Sequence, residues 1–200
     1  MDNSKFNQFY VDDEATQIAK SNILYYEQLP QYNLFISQVV DFLNEHFPDE
    51  NYTTNIIQNY IKNEVISAPL KGKRRGYTKQ HLIQLALLNY MRPILTTEEI
   101  KNVFALAFNE INDHEDDMIS WETVYRFFSH IQKDSLDNPF SSHILDEEKL
   151  TSILINENLK GKEAEKVYVF LTVMTLIAKA TVTKKLVQKI VKENFYKGEK

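Results

Sequence analysis

Two hundred residues fit one ordinary domain or two small ones, because single domains commonly run about 100–200 residues. The chain is 43% hydrophobic and 26% charged, with twelve Phe, eleven Tyr and one Trp, which supplies a real core and excludes wholesale disorder. The absence of cysteine removes thiolate zinc sites, disulfides and cysteine nucleophiles together. The net charge of −5 is unevenly spread: residues 1–50 carry −7, residues 51–92 carry +6, residues 93–150 carry −9 and residues 151–200 carry +5. A basic island of seven Lys and Arg against Glu64 alone therefore sits inside an acidic chain, and such an island is expected to meet an anion.

Four glycines and five prolines make a chain poor in turns, which favours helices joined by short connections. Up to about Pro30 the chain is polar, with Asp12, Asp13 and Glu14 ahead of a weak helical stretch from Ala15 to Tyr26, and it reads as a loosely packed arm over residues 1–28. Leu34, Phe35, Val39, Phe42 and Leu43 then repeat as on an amphipathic helix that stops before Pro48. A second helix starts at Tyr52-Thr53-Thr54 under a threonine cap and runs to about Asn63. Val65 to Leu70 is too short and too β-branched for a helix. With Lys71-Gly72-Lys73-Arg74-Arg75-Gly76 as the turn and Tyr77 as the returning strand, it reads as a small β-hairpin.

Thr78 opens a third helix with Leu82, Leu85, Ala86 and Leu88, closed by Pro93, and Thr96 or Thr97 opens a fourth carrying Ile100, Val103, Phe104, Ala107 and Phe108. The acidic, aperiodic stretch around 110–118 marks the expected boundary between two units. Trp121 to Ile131 forms an aromatic helix ended by Asp137-Asn138-Pro139, Asp146 to Lys160 another, and Lys162 to Phe195 the longest. The first half of that last helix is apolar nearly all round, and Leu186 and Ile190 continue one stripe opposite lysines.

On the helix 53–63 the faces segregate. Ile56, Ile57, Tyr60 and Ile61 share one side, while Thr54, Asn55, Gln58, Asn59 and Lys62 are left for the other. Asn and Gln offer a donor and an acceptor together, the pair that binds the adenine edge bidentately in the major groove. An ordinary solvated face is the plain alternative. The cluster Lys71, Lys73, Arg74 and Arg75 would by itself be a solubilising turn, but its place just after an amide-faced helix is where a winged helix-turn-helix sets its wing along the phosphates.

Tyr60 near the end of the second helix, Val65-Ile66 leading to Pro69, Arg75-Gly76-Tyr77-Thr78, Leu82 and Leu85, then Thr97-Glu98-Glu99-Ile100-Lys101 follow the order of elements in the DNA-binding head of the MerR family. From Leu29 to Phe108 the chain resembles a relative of that head, the domain of unknown function family numbered eighteen thirty-six. The resemblance implies a mainly all-α fold: a winged helix-turn-helix head over 29–109 with a small β-hairpin wing, then a helical region over 118–200 for dimerisation or effector binding. It implies that Asn55, Gln58 and Asn59 touch bases, and that Arg75 and Tyr77 stand where the family's wing residues touch phosphate. Gln58 stands where that pattern usually has Arg, Asn59 replaces the first of two tyrosines, and Glu64 replaces the glycine after the helix.

The expected function is a sequence-specific, dimeric, DNA-binding transcriptional regulator, with helix 53–63 in the major groove and residues 70–77 on phosphates. The alternative is a protein-interaction module that kept the winged shape without DNA. Trp121, Tyr125, Phe128, Tyr168, Phe170 and Met174 are candidates to line a pocket for an apolar effector, though such residues are more often core or dimer interface. His46, His81, His114, His130 and His143 are scattered; His114 beside Glu115, Asp116 and Asp117 has neither EF-hand nor His-x-x-x-His spacing. No phosphate loop, dinucleotide fingerprint or nucleophile elbow occurs, so neither enzyme nor cofactor is expected. Met1 to Tyr10 lacks the plan of a signal peptide, and Val167 to Ala180 is shorter than the roughly 18–20 residues of a membrane span. A soluble cytoplasmic protein with no membrane partner is the expectation.

Overall fold

Asn44, on the second helix, and Asn89, on the fourth, clamp the turn between the second and third helices from two sides, and the fold is organised about that turn. The computed structural model describes residues 7–21, 23–73, 75–113, 117–135 and 147–195. Among them the helices are α1 (Gln8–Ser21), α2 (Ile36–His46), α3 (Thr54–Lys62), α4 (Lys79–Met91), α5 (Thr97–Phe104), α6 (Trp121–Ser135), α7 (Glu147–Asn156) and α8 (Gly161–Phe195), with 3-10 turns at Tyr26–Gln28 and Pro48–Glu50.

Helix α4 is the hub. Every residue from His81 to Met91 is buried, because α4 packs against both α6 and α8 while its lead-in faces the rest of the chain. Gln84 Oε1 accepts from the Ser67 N–H at 2.9 Å and the Ser67 hydroxyl at 2.8 Å, and Asn89 Oδ1 accepts from the Tyr52 hydroxyl at 2.9 Å, whereas Gln84 Nε2 is buried without a partner among the described residues. Helix α8 runs past α1, α4, α5 and α6, with Val167, Phe170, Leu171, Met174 and Ile177 in the core. Helix α1 lies along it: Ala15 and Ala19 are buried, the Tyr10 hydroxyl donates to the Glu193 carboxylate, and Lys189 pairs with Glu14. One continuous hydrophobic cluster extends from Leu24 to Ile177. By length and composition alone, Gly161–Glu193 is long and apolar enough to cross a membrane, a longer stretch than the expected Val167 to Ala180 run.

The mainly helical expectation agrees with this architecture, but the winged part does not. No strand occurs among the described residues; the only bridges are isolated ones, Leu34 with Tyr77 and Glu110 with Asp113. The hairpin fails because side chains take the backbone groups that a ladder would need. Ser67 N–H goes to Gln84, Ala68 N–H donates to Asn112 Oδ1 at 2.9 Å, and Ala68 C=O accepts from His81 Nε2 at 3.1 Å. Pro69 has no N–H to give. Only Leu70 N–H meets Gly76 C=O, at 3.0 Å. Tyr77 pairs instead with Leu34, in both directions, at 2.8 and 3.2 Å. Residues 70–76 are a closed loop and not a β-wing.

Candidate nucleic-acid interface

The sequence of α3 dictates both its start and its stop. The Thr53 hydroxyl accepts the Ile56 N–H at 3.3 Å, satisfying one free amide of the first turn. At the far end Glu64 N–H donates to Ile61 C=O at 3.0 Å and Val65 N–H to Tyr60 C=O at 2.9 Å, the pair of bonds that closes a helix through a left-handed residue. That residue is Glu64, at φ 54°. Ile57 is fully buried and Ile56, Tyr60 and Ile61 pack on the core. Asn55, Gln58, Asn59 and Lys62 are exposed, with Thr54 half-buried at the edge. The expected segregation of faces is the one observed.

The connection from α2 to α3 is rigidly built. Tyr52 N–H donates to Asn44 Oδ1 at 2.6 Å, and Asn44 Nδ2 donates back to Tyr52 C=O at 3.0 Å. The buried Tyr52 ring carries the Arg92 guanidinium 4.7 Å from its centroid, and desolvation pushes its phenol well above the usual tyrosine value. Arg92 also ion-pairs with Glu50 and donates to its carbonyl at 2.9 Å. An αL residue, Asn51, turns the chain between these clamps. Arg92, a member of the basic island, is thus committed to holding the turn.

Lys79 is committed as well. Its ammonium lies 4.7 Å from the Tyr26 ring centroid, donates to the Tyr26 hydroxyl at 3.1 Å and also donates to Gln31 Oε1. Lys62, Lys71, Lys73 and Arg75 remain exposed, and Arg74 lies outside the described residues. Among those residues, the side chains of Asn55, Gln58, Lys62, Lys71 and Lys73 enter no hydrogen bond or ion pair. Asn59 receives a long 3.5 Å contact from Asn63 Nδ2. Arg75 rests its guanidinium 5.0 Å from the Phe35 centroid, a contact worth about 0.5–1 kcal/mol at an exposed site.

The loop is shaped by its glycines. Gly72 has φ +73°, and a Cβ on Gly76 would lie 3.1 Å from the Pro69 Cβ and 3.2 Å from Leu70 C=O. Tyr77 is only 7% exposed, stands edge-on to His81, and burial raises its phenol pKa. Its backbone bridge to Leu34 and the Arg75–Phe35 contact bring the loop against the start of α2. No hydrogen bond among the described residues ties the loop to the outer face of α3.

Of the aromatic and aliphatic residues expected to frame an apolar cavity, Trp121, Tyr125, Phe128, Phe170 and Met174 are packed in the core and Tyr168 is exposed. His114, Glu115, Asp116 and His143 lie outside the described residues, and no His, Asp and Glu group among those described is arranged to hold a metal ion. The sequence reading missed the clamp residues Asn44, Tyr52, Asn89 and Arg92, whose partners are up to 42 positions apart.

No curated protein and no solved structure matches the chain. The family described as Domain of unknown function (DUF1836) matches residues 24–128, a span that takes in the α2–α3 turn, the basic loop, α4, α5 and the first half of α6. The β-wing on which likeness to the MerR head depended is replaced by the closed loop 70–76. With half its length matched, the chain belongs to the DUF1836 family.

Proposed function

We propose that this protein is a sequence-specific, DNA-binding transcriptional regulator that acts as a dimer. Helix α3 enters the major groove and the loop 70–76 contacts phosphates. The observation that carries the reading is the outer face of α3: Asn55, Gln58 and Lys62 are exposed and uncommitted, on a helix whose approach is clamped by Asn44, Tyr52 and Arg92. Amide side chains held at a fixed pitch suit bidentate contacts to adenine, each worth about 1–3 kcal/mol of discrimination. The cations at Lys71, Lys73 and Arg75, with Arg74 of the same sequence run, supply the charge that fixes register on the backbone.

Pairing of two copies is supported by α8. Opposite its core-facing residues, Val169, Val173, Leu176, Ala180 and Val187 follow one another at spacings of four, three, four and seven, and all but half-buried Val173 are exposed. A seam at that period suits helix–helix pairing. Two heads related by a two-fold axis would read an inverted repeat.

The test is selection from random duplex DNA with the purified full chain at two salt concentrations. An enriched inverted repeat is expected, and if each head neutralises about five phosphates the log–log salt slope is roughly −9. Lys71→Ala with Lys73→Ala should lower its magnitude by up to about 3.6 for a dimer, at about 0.9 per lost phosphate contact, while Asn55→Ala relaxes base preference. Absence of enrichment, with no binding even at low salt, overturns the reading. The exposed row on α8 would then favour a protein-interaction module, and a stable heteropartner would be its mark.

A further inference from the structure

We propose that His81 is a pH-sensitive latch on the basic loop 70–76: the neutral ring fastens both ends of the loop to α4, and the protonated ring releases them. His81 is buried in the first turn of α4. Its Nδ1 accepts the Thr78 N–H at 3.0 Å, and the Thr78 hydroxyl lies 2.9 Å from the same nitrogen. An amide can only donate, so Nδ1 carries no proton, the hydroxyl donates to it as well, and the ring proton sits on Nε2. Nε2 in turn donates to the Ala68 C=O at 3.1 Å. Ala68 stands just ahead of the loop and Thr78 just after it, so one ring joins entry and exit. The other bonds that close the loop are backbone ones, Leu70 N–H to Gly76 C=O and the Tyr77–Leu34 pair.

The start of α4 thus uses histidine where this chain elsewhere uses an amide or a carboxylate. Gln28 Oε1 accepts the Tyr25 N–H at 2.7 Å, Gln38 Oε1 the Phe35 N–H at 3.0 Å, and the Glu99 carboxylate the Thr96 N–H at 2.7 Å. Each reaches back from the third residue of its helix or turn to the amide ahead of it. Glutamine and glutamate keep an acceptor at every pH. An unperturbed imidazole titrates at about pH 6.5 and gives up its acceptor when it does. A protonated Nδ1 points an N–H at the Thr78 N–H. The hydroxyl can turn to accept it, but the amide cannot, and is left without its partner.

The Tyr77 ring stands edge-on to His81 at 5.5 Å, and burial raises its phenol pKa, so it stays neutral through this range. Lys79 has its ammonium on Tyr26 and Gln31. On the segment that meets Ala68, Asn112 takes the Ala68 N–H, and Glu110 and Asp113 to either side are exposed. The loop itself carries the exposed Lys71, Lys73 and Arg75, so an imidazolium at its base adds like charge. The bonds to Thr78 and Ala68 need the neutral ring. Loop closure is therefore complete above the titration of the ring and is lost as pH falls through it.

Hydrogen exchange of the full-length protein, read by NMR amide by amide and corrected for the intrinsic pH dependence of exchange, tests the latch. The Thr78 and Leu70 amides should lose protection at least about tenfold between about pH 7.5 and pH 5.5, either side of the unperturbed imidazole value, in step with the titration of the His81 ring. Leu85 and Leu88, inside α4, should keep theirs. His81→Gln, which retains an acceptor for the Thr78 N–H, should hold that amide's protection constant over the same range. Unchanged protection at Thr78 and Leu70 in the wild type overturns the proposal. So does a loss shared by Leu85 and Leu88, which is unfolding of α4 and not release of the loop, or an equal loss in His81→Gln. The wild-type readings decide by themselves should the variant fail to fold. No nucleic acid enters the measurement, so its failure and the failure of the DNA reading are told apart.

Discussion

Glu64 occupies a backbone position that its side chain does not favour. At φ 54° it ends α3 through paired bonds to Ile61 and Tyr60, the left-handed closure in which glycine is the usual residue because a Cβ there costs about 1–2 kcal/mol. Asn158 closes α7 in the same way, at φ 55° with Leu159 N–H on Leu154 C=O at 2.9 Å, but asparagine tolerates this region. Glu64→Gly should therefore stabilise the protein by about 0.5–1 kcal/mol, part of the relief being offset by the freer unfolded chain. Asn158→Gly should gain less. Urea unfolding midpoints of the two variants decide the matter, and a lower midpoint for Glu64→Gly would show that the carboxylate holds something the backbone argument omits. The same substitution removes the one acidic residue of the basic island, so binding to anionic polymers should strengthen.

Helix α5 opens with a reciprocal cap. Thr96 N–H donates to the Glu99 carboxylate at 2.7 Å, the Thr96 hydroxyl donates to it at 2.7 Å, and Glu99 N–H donates to the Thr96 hydroxyl oxygen at 3.3 Å. The Thr96 N–H, and then its hydroxyl, hold the Glu99 carboxyl below the ordinary 4.5. A carboxyl lowered by folding contributes stability that is complete above its unfolded value and lost as pH falls through the folded one. Wild type should therefore exceed Glu99→Gln in stability at neutral pH, and the gap should narrow as pH falls below the ordinary 4.5, read from melting temperatures across the acid range. A gap independent of pH would mean the amide replaces the carboxylate fully. This cap was legible because its parts stand three residues apart, and so were the faces of α3, fixed by a 3.6-residue period. The loop 70–76 was not. Its lead-in is denied a strand by Gln84 and Asn112, 17 and 44 positions onward, and local composition carries no trace of such partners. Helix α1 begins earlier than its weak periodicity suggested because its contacts are with α8, near Glu14's partner Lys189, 175 positions away. In the candidate site the outward amides were visible in the sequence, whereas the burial of Tyr77 depends on Leu34 and His81.

The aromatic residues join what the acidic segment around 110–118 separates in sequence. Tyr90 of α4 stands edge-on to Phe128 of α6 at 5.2 Å and receives the Leu24 N–H on its hydroxyl at 3.4 Å, while Tyr125 of α6 donates to Leu24 C=O at 2.7 Å. Phe108 is stacked on Trp121 and meets Phe170 of α8 edge-on at 5.7 Å. A fragment spanning 29–109 keeps the α2–α3 turn, the clamp on Tyr52 and the whole amide face, yet strips one side from Tyr90, Phe104 and Phe108. Fully exposing a large apolar side chain forfeits about 1.5–3 kcal/mol, so uncovering one side of three of them costs at most roughly 5–9 kcal/mol. That is comparable to the whole stability of an ordinary domain, about 5–15 kcal/mol. The fragment should therefore unfold broadly in urea, without the sharp transition of the full chain, and should bind dye that reports exposed apolar surface. A steep, two-state transition in the fragment would show instead that α4 and α5 close a core without α6 and α8. Under the first outcome, the aromatic cluster that α6 and α8 complete is what anchors α4, and through the Asn89–Tyr52 hydrogen bond the turn ahead of α3.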